Sequence, residues 1–356
     1  MKRIGNIYGN IYDIENIKTA IMKASLGKRH RKYVKKVLDN QNFYAEKIRD
    51  MLLKQEYIPS PYTIKRIYDG ARKKERIIYK PQFYPDQIIH WALILQIKDI
   101  IMRGMYEYNC GSVPKRGTSY GQKYLRKILN KDTKGTKYCL KMDVKKFYPS
   151  VDKEILKSIF RQDIKDKQCL WLIDQIAESG DDGLPIGNYT SQWFANYFLQ
   201  RLDHFIKEDL HAKYYIRYID DLVILGSNKR KLHRMQQAIA AYLGTINLTM
   251  KGDWQVFRVD DRAIDFLGLR FFRDKTILRK SNALRIKRRM RKIKRKPRLN
   301  YLDSCAVVSY WGWVKRSDSY HFYGKYIKSI TSVGQAKKKV SEYARQTNHL
   351  RACSGI

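Results

Sequence analysis

Apolar residues recur at two different spacings along this chain of 356 residues. Helical spacing predicts helices over residues 14–53, 86–101, 152–160, 191–210, 231–243 and 282–298. Short apolar runs bounded by turn-forming residues predict strands over residues 62–68, 76–79, 140–144, 214–216, 222–225, 266–272 and 276–278. This order of elements predicts an α+β fold in which a sheet packs on helices and is flanked by further helical pieces.

Turn and capping residues set some of these boundaries. Asp69-Gly70 separates the first two strands and is a strong hairpin signal, although the connection is longer than two residues. Asp152 is the expected N-cap of the helix that follows it. Pro297 is expected to end the last predicted helix, because proline removes a backbone donor.

The chain carries a large excess of positive charge. Lys and Arg number 73 against 34 Asp and Glu, a formal net charge of +39. So much charge opposes compaction, and we expect a polyanionic partner to neutralise it. Nucleic acid is the first candidate and an anionic membrane surface the second, with a merely solvated basic surface as the third. No apolar run approaches the roughly 18 residues that a spanning helix needs, and the N-terminus lacks the apolar core of a signal peptide.

Five cysteines are scattered along the chain. Their number is odd, and no two of them form a C-x-x-C pair. A zinc site or a disulfide framework is therefore not expected, and the pattern is typical of a reducing cytoplasm.

The most informative feature is Tyr218-Ile219-Asp220-Asp221, which lies between two apolar runs. Two adjacent carboxylates in a tight turn repel each other, which favours a divalent cation between them. A second acidic strand end lies upstream at Asp143. If the two strands are neighbours in one sheet, the three carboxylates could reach the same metal ions. The backbone carbonyl of Val144 is a further candidate ligand.

This acidic arrangement suits phosphodiester synthesis. Such a reaction uses two Mg²⁺ ions about 3.5–4 Å apart, one activating the attacking 3′-hydroxyl and the other binding the triphosphate and the pyrophosphate leaving group. Mg²⁺ takes hard oxygen ligands and few protein carboxylates. The two acidic motifs, in this order and in a basic chain, therefore predict a polymerase palm.

From about Arg76 to Arg273 the chain resembles a reverse transcriptase. Lys141–Tyr148 is similar to the first catalytic block of bacterial members, and Tyr218–Asp221 is similar to the family's aromatic-x-Asp-Asp box. The resemblance implies that the metal ligands are Asp143, Asp220 and Asp221. It also implies two Mg²⁺ ions per site, with Mn²⁺ as a substitute.

The resemblance further implies a right-hand polymerase with fingers, palm and helical thumb. We expect an N-terminal extension and fingers over residues 1–135, and a palm over residues 136–275. A second fingers segment is expected around residues 160–190, and a basic helical thumb over residues 276–356. No acidic constellation follows the palm, so an RNase H domain is not expected.

The same resemblance assigns residues to the incoming nucleotide. Tyr148 falls where the family places a ring that would clash with a ribose 2′-hydroxyl and so favour dNTPs; simple core packing is the alternative. Charge-assisted contacts to the triphosphate favour basic residues. The candidates are Arg76, Lys115, Arg116 and Lys251, with Lys65 and Arg66 as further candidates for phosphate or template contact.

One block departs from the common pattern of the family. Most reverse transcriptases carry Gln-Gly-x-x-x-Ser-Pro, whereas this chain reads Ile186-Gly187-Asn188-Tyr189-Thr190-Ser191-Gln192. This block resembles the diversity-generating retroelement class, whose members copy a template-repeat RNA and misincorporate at its adenines. We expect Ile186, Gly187 and Gln192 to contact the substrate. Ile186 cannot hydrogen-bond as the usual Gln does, which would relax selectivity at adenines; packing beneath the site is the alternative.

Residues 282–356 resemble a small basic thumb that would contact the backbone of a template–primer duplex. The candidate nucleic-acid contacts are Tyr218, Gly268, Arg285, Arg288, Arg289 and Lys292. A solvated charged face is the alternative for the basic helix, and an ordinary strand bulge is the alternative for Gly268. The implied partners are template RNA, cDNA, dNTPs and an oligomer of a small basic accessory protein.

Three functional hypotheses therefore stand. The first is an RNA-directed DNA polymerase of the diversity-generating class. The second is another bacterial reverse transcriptase of the retron, group II intron-like or phage-defence type, and the Ile-Gly-Asn-x-x-Ser-Gln block argues against the first two of these types. The third is a catalytically idle RNA-binding relative, against which the intact aspartates argue.

Overall fold

A computed structural model describes residues 3–69 and 74–353 of the chain. By their internal contacts the residues fall into two compact units. The first consists of Met1–Gly117 with Leu140–Val256, and the second of Thr118–Cys139 with Phe257–Ile356. Gly70, half of the predicted Asp69-Gly70 turn, lies outside the described residues.

Helices make up most of the regular structure. In chain order they are α1 (Tyr8–Ile11), α2 (Ile14–Ser25), α3 (Lys32–Asp39), α4 (Gln41–Leu53), α5 (Ile88–Arg103), α6 (Thr118–Lys131), α7 (Phe147–Ser150), α8 (Lys153–Asp163), α9 (Lys167–Glu178), α10 (Tyr189–Phe198), α11 (Gln200–His204), α12 (Lys229–Thr245), α13 (Lys280–Lys294), α14 (Tyr301–Val314), α15 (Tyr320–Tyr323) and α16 (Val333–Cys353). Short π-helical turns also occur, at Phe83–Gln87, Phe205–Asp209 and Gly324–Lys328. The helix predicted over residues 14–53 is divided into α2, α3 and α4, and the one predicted over 191–210 is divided at Leu199.

The strands in chain order are β1 (Thr63–Asp69), β2 (Lys74–Lys80), β3 (Tyr138–Asp143), β4 (Tyr214–Tyr218), β5 (Asp221–Gly226), β6 (Gln255–Arg258), β7 (Ile264–Phe266), β8 (Leu269–Phe271) and β9 (Thr276–Leu278). They form a two-stranded sheet β1-β2, a four-stranded sheet in the order β4-β5-β3-β6, and a three-stranded sheet β7-β8-β9. The pairs β1-β2, β4-β5, β7-β8 and β8-β9 are antiparallel. The predicted α+β architecture is confirmed, and β3 does lie beside the β4-β5 hairpin.

The core of the first unit lies around this hairpin. Four consecutive residues of β5, Leu222–Leu225, are buried, which indicates that both faces of the strand are covered. On the helical side Phe160 of α8 packs between Phe194 and Tyr197 of α10, with ring centroids 5.0 and 4.8 Å away. Asp152 caps α8 as predicted, since its side chain accepts from the backbone N–H of Ile155 at 3.0 Å.

In the second unit, the prediction of a single strand over residues 266–272 is wrong. Leu267 and Gly268 both have positive φ, 48° and 78°, and turn the chain from β7 into β8. Two central residues of positive φ define the tight hairpin turn that matches strand twist. The apolar run therefore encodes two short strands and their turn.

The basic helix of the second unit is α13, shifted two residues toward the N-terminus from its predicted start. It buries one stripe of Ile286, Met290 and Ile293, which recur at helical spacing. It ends at Lys294, three residues before Pro297. Within the residues that the structure describes, no helix is both long and apolar enough to cross a membrane.

Candidate active site

The Tyr218–Asp221 segment forms the tip of the β4-β5 hairpin. Tyr218 pairs with Asp221, so Ile219 and Asp220 are the two central residues of the turn. Ile219 has a φ of 60°, a left-handed conformation that is costly for a β-branched residue. Glycine usually occupies such a first central position in a two-residue hairpin. The turn is therefore held in this shape by its surroundings.

Asp143 ends β3 next to this turn. The N–H of the following residue, Val144, donates to the carbonyl of Asp220 at 3.2 Å. Burial, and then the neighbouring Asp143 carboxylate, raise the pKa of Asp220 to about 6. The Asp143 carboxylate is thus close enough to oppose ionisation of Asp220, as expected where two carboxylates share a cation.

Lys251 lies directly against this acidic pair. Its backbone N–H donates to the carbonyl of Asp143 at 2.9 Å, and its ammonium Nζ lies 2.5 Å from Asp143 Oδ1. The sequence placed Lys251 near the triphosphate; the structure places its charge on a predicted metal ligand. One cation therefore lies within reach of both acids and of anything bound to them.

Asp221 has a different neighbour from the other two acids. The ammonium of Lys141, on β3, lies 3.6 Å from Asp221 Oδ2. Lys141 and Asp143 are two residues apart on one strand, so their side chains leave the same face. The metal-ligand role of all three aspartates stays a prediction; in the structure Asp221 lies against Lys141, whereas Asp143 lies against Lys251.

The acidic pair fits a divalent cation of the magnesium type. In the part of the chain that the structure describes, no group of three or more His, Cys, Asp or Glu side chains is gathered to hold a metal. Mg²⁺ does not need such a cage, because it is commonly bound by one or two carboxylates plus substrate phosphates and water. Asp143 and Asp220 are two neighbouring carboxylates with hard oxygen donors, and they meet that description.

Tyr148 stands beside the acids. Burial, and then the charges of Asp220 and the nearby Tyr218, raise the pKa of Tyr148 to about 12. Its backbone is fixed, since its carbonyl accepts from the N–H of Leu184 at 2.8 Å. A neutral, partly exposed ring therefore lies next to the predicted metal site.

The Ile186 block is held at its N-terminal end. Leu184, two residues before the block, donates its N–H to the carbonyl of Tyr148, and the carbonyl of Ile186 accepts from the N–H of Tyr79 on β2 at 2.8 Å. Gly187 has a φ of 140°, and a Cβ there would overlap the carbonyl oxygen of Tyr79. The Ile186 side chain is half-buried and Gln192 is exposed. The backbone of the block thus links the Tyr148 region to the β1-β2 hairpin.

Replacing Gly187 by Ala is expected to break this fastening. The positive φ and the overlap with the Tyr79 carbonyl together cost on the order of 3 kcal/mol of unfolding free energy. The matched control is Gly244→Ala in α12, where a Cβ meets open space and should stabilise the helix by about 0.5–1 kcal/mol. Denaturant unfolding measures the change in unfolding free energy of each variant. If Gly187→Ala is as stable as Gly244→Ala, Gly187 is not under this constraint.

The other predicted phosphate contacts are dispersed. Arg76 and Lys115 are exposed, and Lys115 has a φ of 63°. Arg116 is part-buried and donates through Nη1 to the carbonyl of Tyr106 at 2.9 Å, so part of its hydrogen-bonding capacity serves the local fold. On the β1-β2 hairpin, Lys65 and Arg66 point to opposite faces because they are adjacent on one strand.

In the second unit the basic helix α13 divides into two sets of residues. Arg285, Arg288 and Lys292 are exposed, as a contact surface for a polyanion requires. Arg289 instead donates at 2.6 Å to Asp303, a fully buried carboxylate. Gly268 is buried, and a Cβ there would overlap the ring of Trp313. Its lack of a side chain is therefore explained by packing within this unit.

Comparison with known proteins decides the family. The profile described as reverse transcriptase (RNA-dependent DNA polymerase) matches residues 72–271, more than half of the chain. The chain belongs to the reverse transcriptase family. The predicted fold class, a reverse transcriptase fold of helices and antiparallel sheets, is thereby confirmed. The predicted subdomain boundaries and the narrower diversity-generating class stay predictions.

Two curated reverse transcriptases of Escherichia coli are similar to this one. It is 30% identical to the retron Ec73 reverse transcriptase over 194 residues, which cover 49% of this chain and 57% of that protein. It is 24% identical to the retron Ec48 reverse transcriptase over 245 residues, which cover 65% of this chain and 58% of that protein. The chain thus spans less than two thirds of the length of these relatives. Among solved structures, apo telomerase from Candida tropicalis is similar at a TM-score of 0.49 and 13% identity, over 80% of this chain and 56% of that chain.

The residues behind the aspartate turn were missed by the sequence analysis of this reverse transcriptase. Arg217 and Asp203 are fully buried and ion-paired, and Asn196 lies against them. A signal was present, because Arg217 is a charge inside the apolar run that leads into Tyr218. The role of this charge could not be inferred without its partner Asp203, which lies on a helix and could not be located from spacing along the chain.

Proposed function

We propose that this reverse transcriptase synthesises DNA on an RNA template by metal-dependent nucleotidyl transfer. The observation that supports the proposal is the Asp143–Asp220 pair, brought together by β3 and the β4-β5 hairpin, with Lys251 against it. Reverse transcriptases generally use divalent metal ions. Asp143 and Asp220 are the residues that would hold them, and template RNA and dNTPs are the substrates.

When bound, the metal ions would supply the Lewis acidity that activates a primer 3′-hydroxyl and stabilises the charge of the transferring phosphate. The chain's own contributions follow from its geometry. Lys251 neutralises part of the acidic charge and is positioned to contact phosphate oxygens. The Tyr148 ring, held by Leu184, would exclude a ribose 2′-hydroxyl. Exposed Arg285, Arg288 and Lys292 would bind the backbone of the nucleic acid.

The test is incorporation of dNTPs on a primed RNA template with the purified chain. Incorporation that requires Mg²⁺ and stops when it is chelated supports the proposal. Absence of incorporation across several primed RNA templates, from protein that binds the same RNA, would favour the idle RNA-binding hypothesis instead. Binding itself should weaken steeply with salt, since most of it is phosphate contact.

Tyr148→Ala is expected to admit ribonucleotides. Removing the ring removes the overlap with a 2′-hydroxyl, and a lost steric contact of this size changes discrimination by about 10–200-fold. Tyr148→Phe is the matched control, because it keeps the ring and loses only a hydroxyl whose pKa is raised to about 12 by burial and by Asp220. Single-nucleotide extension with dNTP and NTP measures the ratio for each variant. An unchanged ratio in Tyr148→Ala would remove this role from Tyr148.

We further propose that synthesis is error-prone at template adenines, as in the diversity-generating class. The support is the Ile-Gly-Asn-x-x-Ser-Gln block together with the position of Ile186. Its backbone is fixed by the bond to Tyr79 while its side chain remains half-exposed. An aliphatic group so presented offers no hydrogen bond to a base pair and discriminates weakly between bases.

Ile186→Gln is expected to lower the frequency of errors opposite adenine. Glutamine restores a polar group at the block, and the expected gain in discrimination is about tenfold. Ile186→Met is the control, since it is apolar and of similar size. Sequencing of cDNA from an adenine-containing RNA template measures the error spectrum at each base. The same spectrum in all three proteins would show that infidelity, if present, arises elsewhere.

A retron-type reverse transcriptase is the second candidate, favoured by the 30% identity to the retron Ec73 reverse transcriptase. The two candidates differ in their products. Errors concentrated at adenines support the diversity-generating class, and evenly distributed, rare errors support the retron type. A template and variable repeat pair beside the coding sequence would be independent support for the former.

A further inference from the structure

Arg217 is a fully buried charge directly before the aspartate turn. It lies on β4, one residue before Tyr218, and its side chain is 0% exposed. A buried guanidinium is costly unless it is paired and its hydrogen bonds are satisfied. Its partners therefore reveal what the charge is held for.

Asp203 of α11 provides the countercharge. Arg217 Nε donates to Asp203 Oδ1 at 2.7 Å, and Nη2 donates to Oδ2 at 2.5 Å. This is the bidentate geometry that fixes both side chains in direction as well as in distance. The hydroxyl of Tyr215 also donates to Asp203 Oδ1, at 2.7 Å. The carboxylate is thus fully engaged, and it anchors the guanidinium to the helix.

The third arm of the guanidinium contacts the turn. Arg217 Nη1 donates to the carbonyl of Ile219 at 2.9 Å. Ile219 is the central turn residue with a φ of 60°, and its carbonyl belongs to the peptide unit that leads into Asp220. The arginine therefore holds the strained peptide that sets the direction of the Asp220 side chain.

A second segment also contacts the turn. The N–H of Cys110 donates to the carbonyl of Arg217 at 2.8 Å, and a Cβ on Gly111 would overlap the backbone of Ile219. Asn196 ties this segment in place, because its Nδ2 donates to the carbonyl of Gly111 at 2.7 Å. Its Oδ1 accepts from Arg217 Nη1 at 3.3 Å. The turn is thus held both by this segment and by the guanidinium.

We infer that Arg217, anchored by Asp203, is a positioning residue for nucleotidyl transfer. It holds the Ile219 peptide in its left-handed conformation and so keeps the Asp220 carboxylate facing Asp143. This inference rests on the proposed polymerase function. It predicts that removing the arginine leaves the Asp220 side chain without one fixed direction, even where stability is not lost. Both metal binding and turnover should then weaken.

The double variant R217M/D203N tests this inference. It removes both buried charges together, which is usually tolerated by a fold, and the amide oxygen introduced at position 203 can still accept from the Tyr215 hydroxyl. We expect cooperative unfolding near the wild-type temperature, with turnover lower by about 10²-fold, as for a misplacement of about 1 Å. Without substrates, the rise in melting temperature on adding Mn²⁺ should shrink, because metal that binds only the folded state stabilises it.

Two single variants complete the design. R217K keeps the charge beside Asp203 but lacks the planar fork that reaches acceptors on three residues at once, and it should lose turnover and Mn²⁺ stabilisation in the same sense. Tyr215→Phe disturbs Asp203 without touching the Ile219 carbonyl, so it should lower the melting temperature and leave both readouts unchanged.

Wild-type turnover and a wild-type Mn²⁺ effect in R217M/D203N, or in R217K if the double variant does not fold, would overturn the inference. Failure of the proposed function would look different, because the wild-type chain itself would then incorporate no dNTP.

Discussion

Asp220→Asn is expected to eliminate dNTP incorporation and to leave the fold intact. Asparagine has the shape of aspartate but no negative charge, and Asp220 is one of the two acids that would hold the metal ions. Metal stabilisation of the transferring phosphate is worth several kcal/mol, so the loss in rate is about 10³-fold or more. Stability should be unchanged or slightly higher, because burial and Asp143 already disfavour the charged form of Asp220, whose pKa is about 6. Primer extension and thermal unfolding on the same preparation measure the two effects.

One isosteric control and one isosteric comparison sharpen this experiment. Asp39→Asn, on the exposed end of α3, should leave extension unchanged. Asp221→Asn should have an intermediate effect, because Asp221 faces Lys141 at 3.6 Å whereas Asp220 faces Asp143. Extension that survives in Asp220→Asn at the wild-type rate would show that the metal site has been misplaced.

Arg217→Met is expected to unfold the chain or nearly so. It leaves the fully buried carboxylate of Asp203 without its countercharge, and breaking a buried ion pair on one side costs about 3–5 kcal/mol. That is a large part of the total stability of a typical domain. Chemical denaturation, monitored by tryptophan fluorescence, gives the change in unfolding free energy.

The control is a matched substitution on the surface. Arg288→Met in α13 removes the same side chain from an exposed position and should change stability by no more than about 0.5 kcal/mol. The double variant R217M/D203N should recover most of the loss, since neither charge is then left alone. If Arg217→Met is as stable as Arg288→Met, the buried pair does not contribute as its geometry indicates.

The sequence predicted those parts of the site that are local in the chain. The apolar runs on either side of Ile219-Asp220 specified a hairpin, and β3 was predicted from the apolar residues Leu140, Met142 and Val144. That the two lie side by side in one sheet was a condition of the prediction, and the strand order meets it. Periodicity also gave the existence of most helices, although a continuous apolar pattern could not show where the helices between Ile14 and Leu53 separate.

The sequence could not predict contacts made by buried polar side chains. Lys251 was expected at a phosphate because the family keeps a lysine there, and its contact with Asp143 depends on how residues 249–251 run beside β3. Arg289 looked like its exposed neighbours Arg288 and Lys292, and only the position of Asp303 on another helix distinguishes it. Such pairings join residues by tertiary packing, which spacing along the chain does not encode.

Glycine presents the same limit in another form. The gap between β7 and β8 was hidden because Leu267 is apolar and continues the strand pattern, and the positive φ of both turn residues appears only in the structure. Gly187 was expected to contact the substrate because of its place in a motif, whereas the structure shows that the nearby carbonyl of Tyr79 leaves no room for a side chain there.

The fastening of the Ile186 block bears on how the enzyme can evolve. Its backbone is secured by Leu184 and by Tyr79, neither of which uses the side chain at position 186. A substitution there can change what a base pair encounters without altering the framework that presents it. Accuracy of copying would then be a property that selection can adjust through one codon, in small steps and in either direction, while folding and the aspartate site are inherited unchanged.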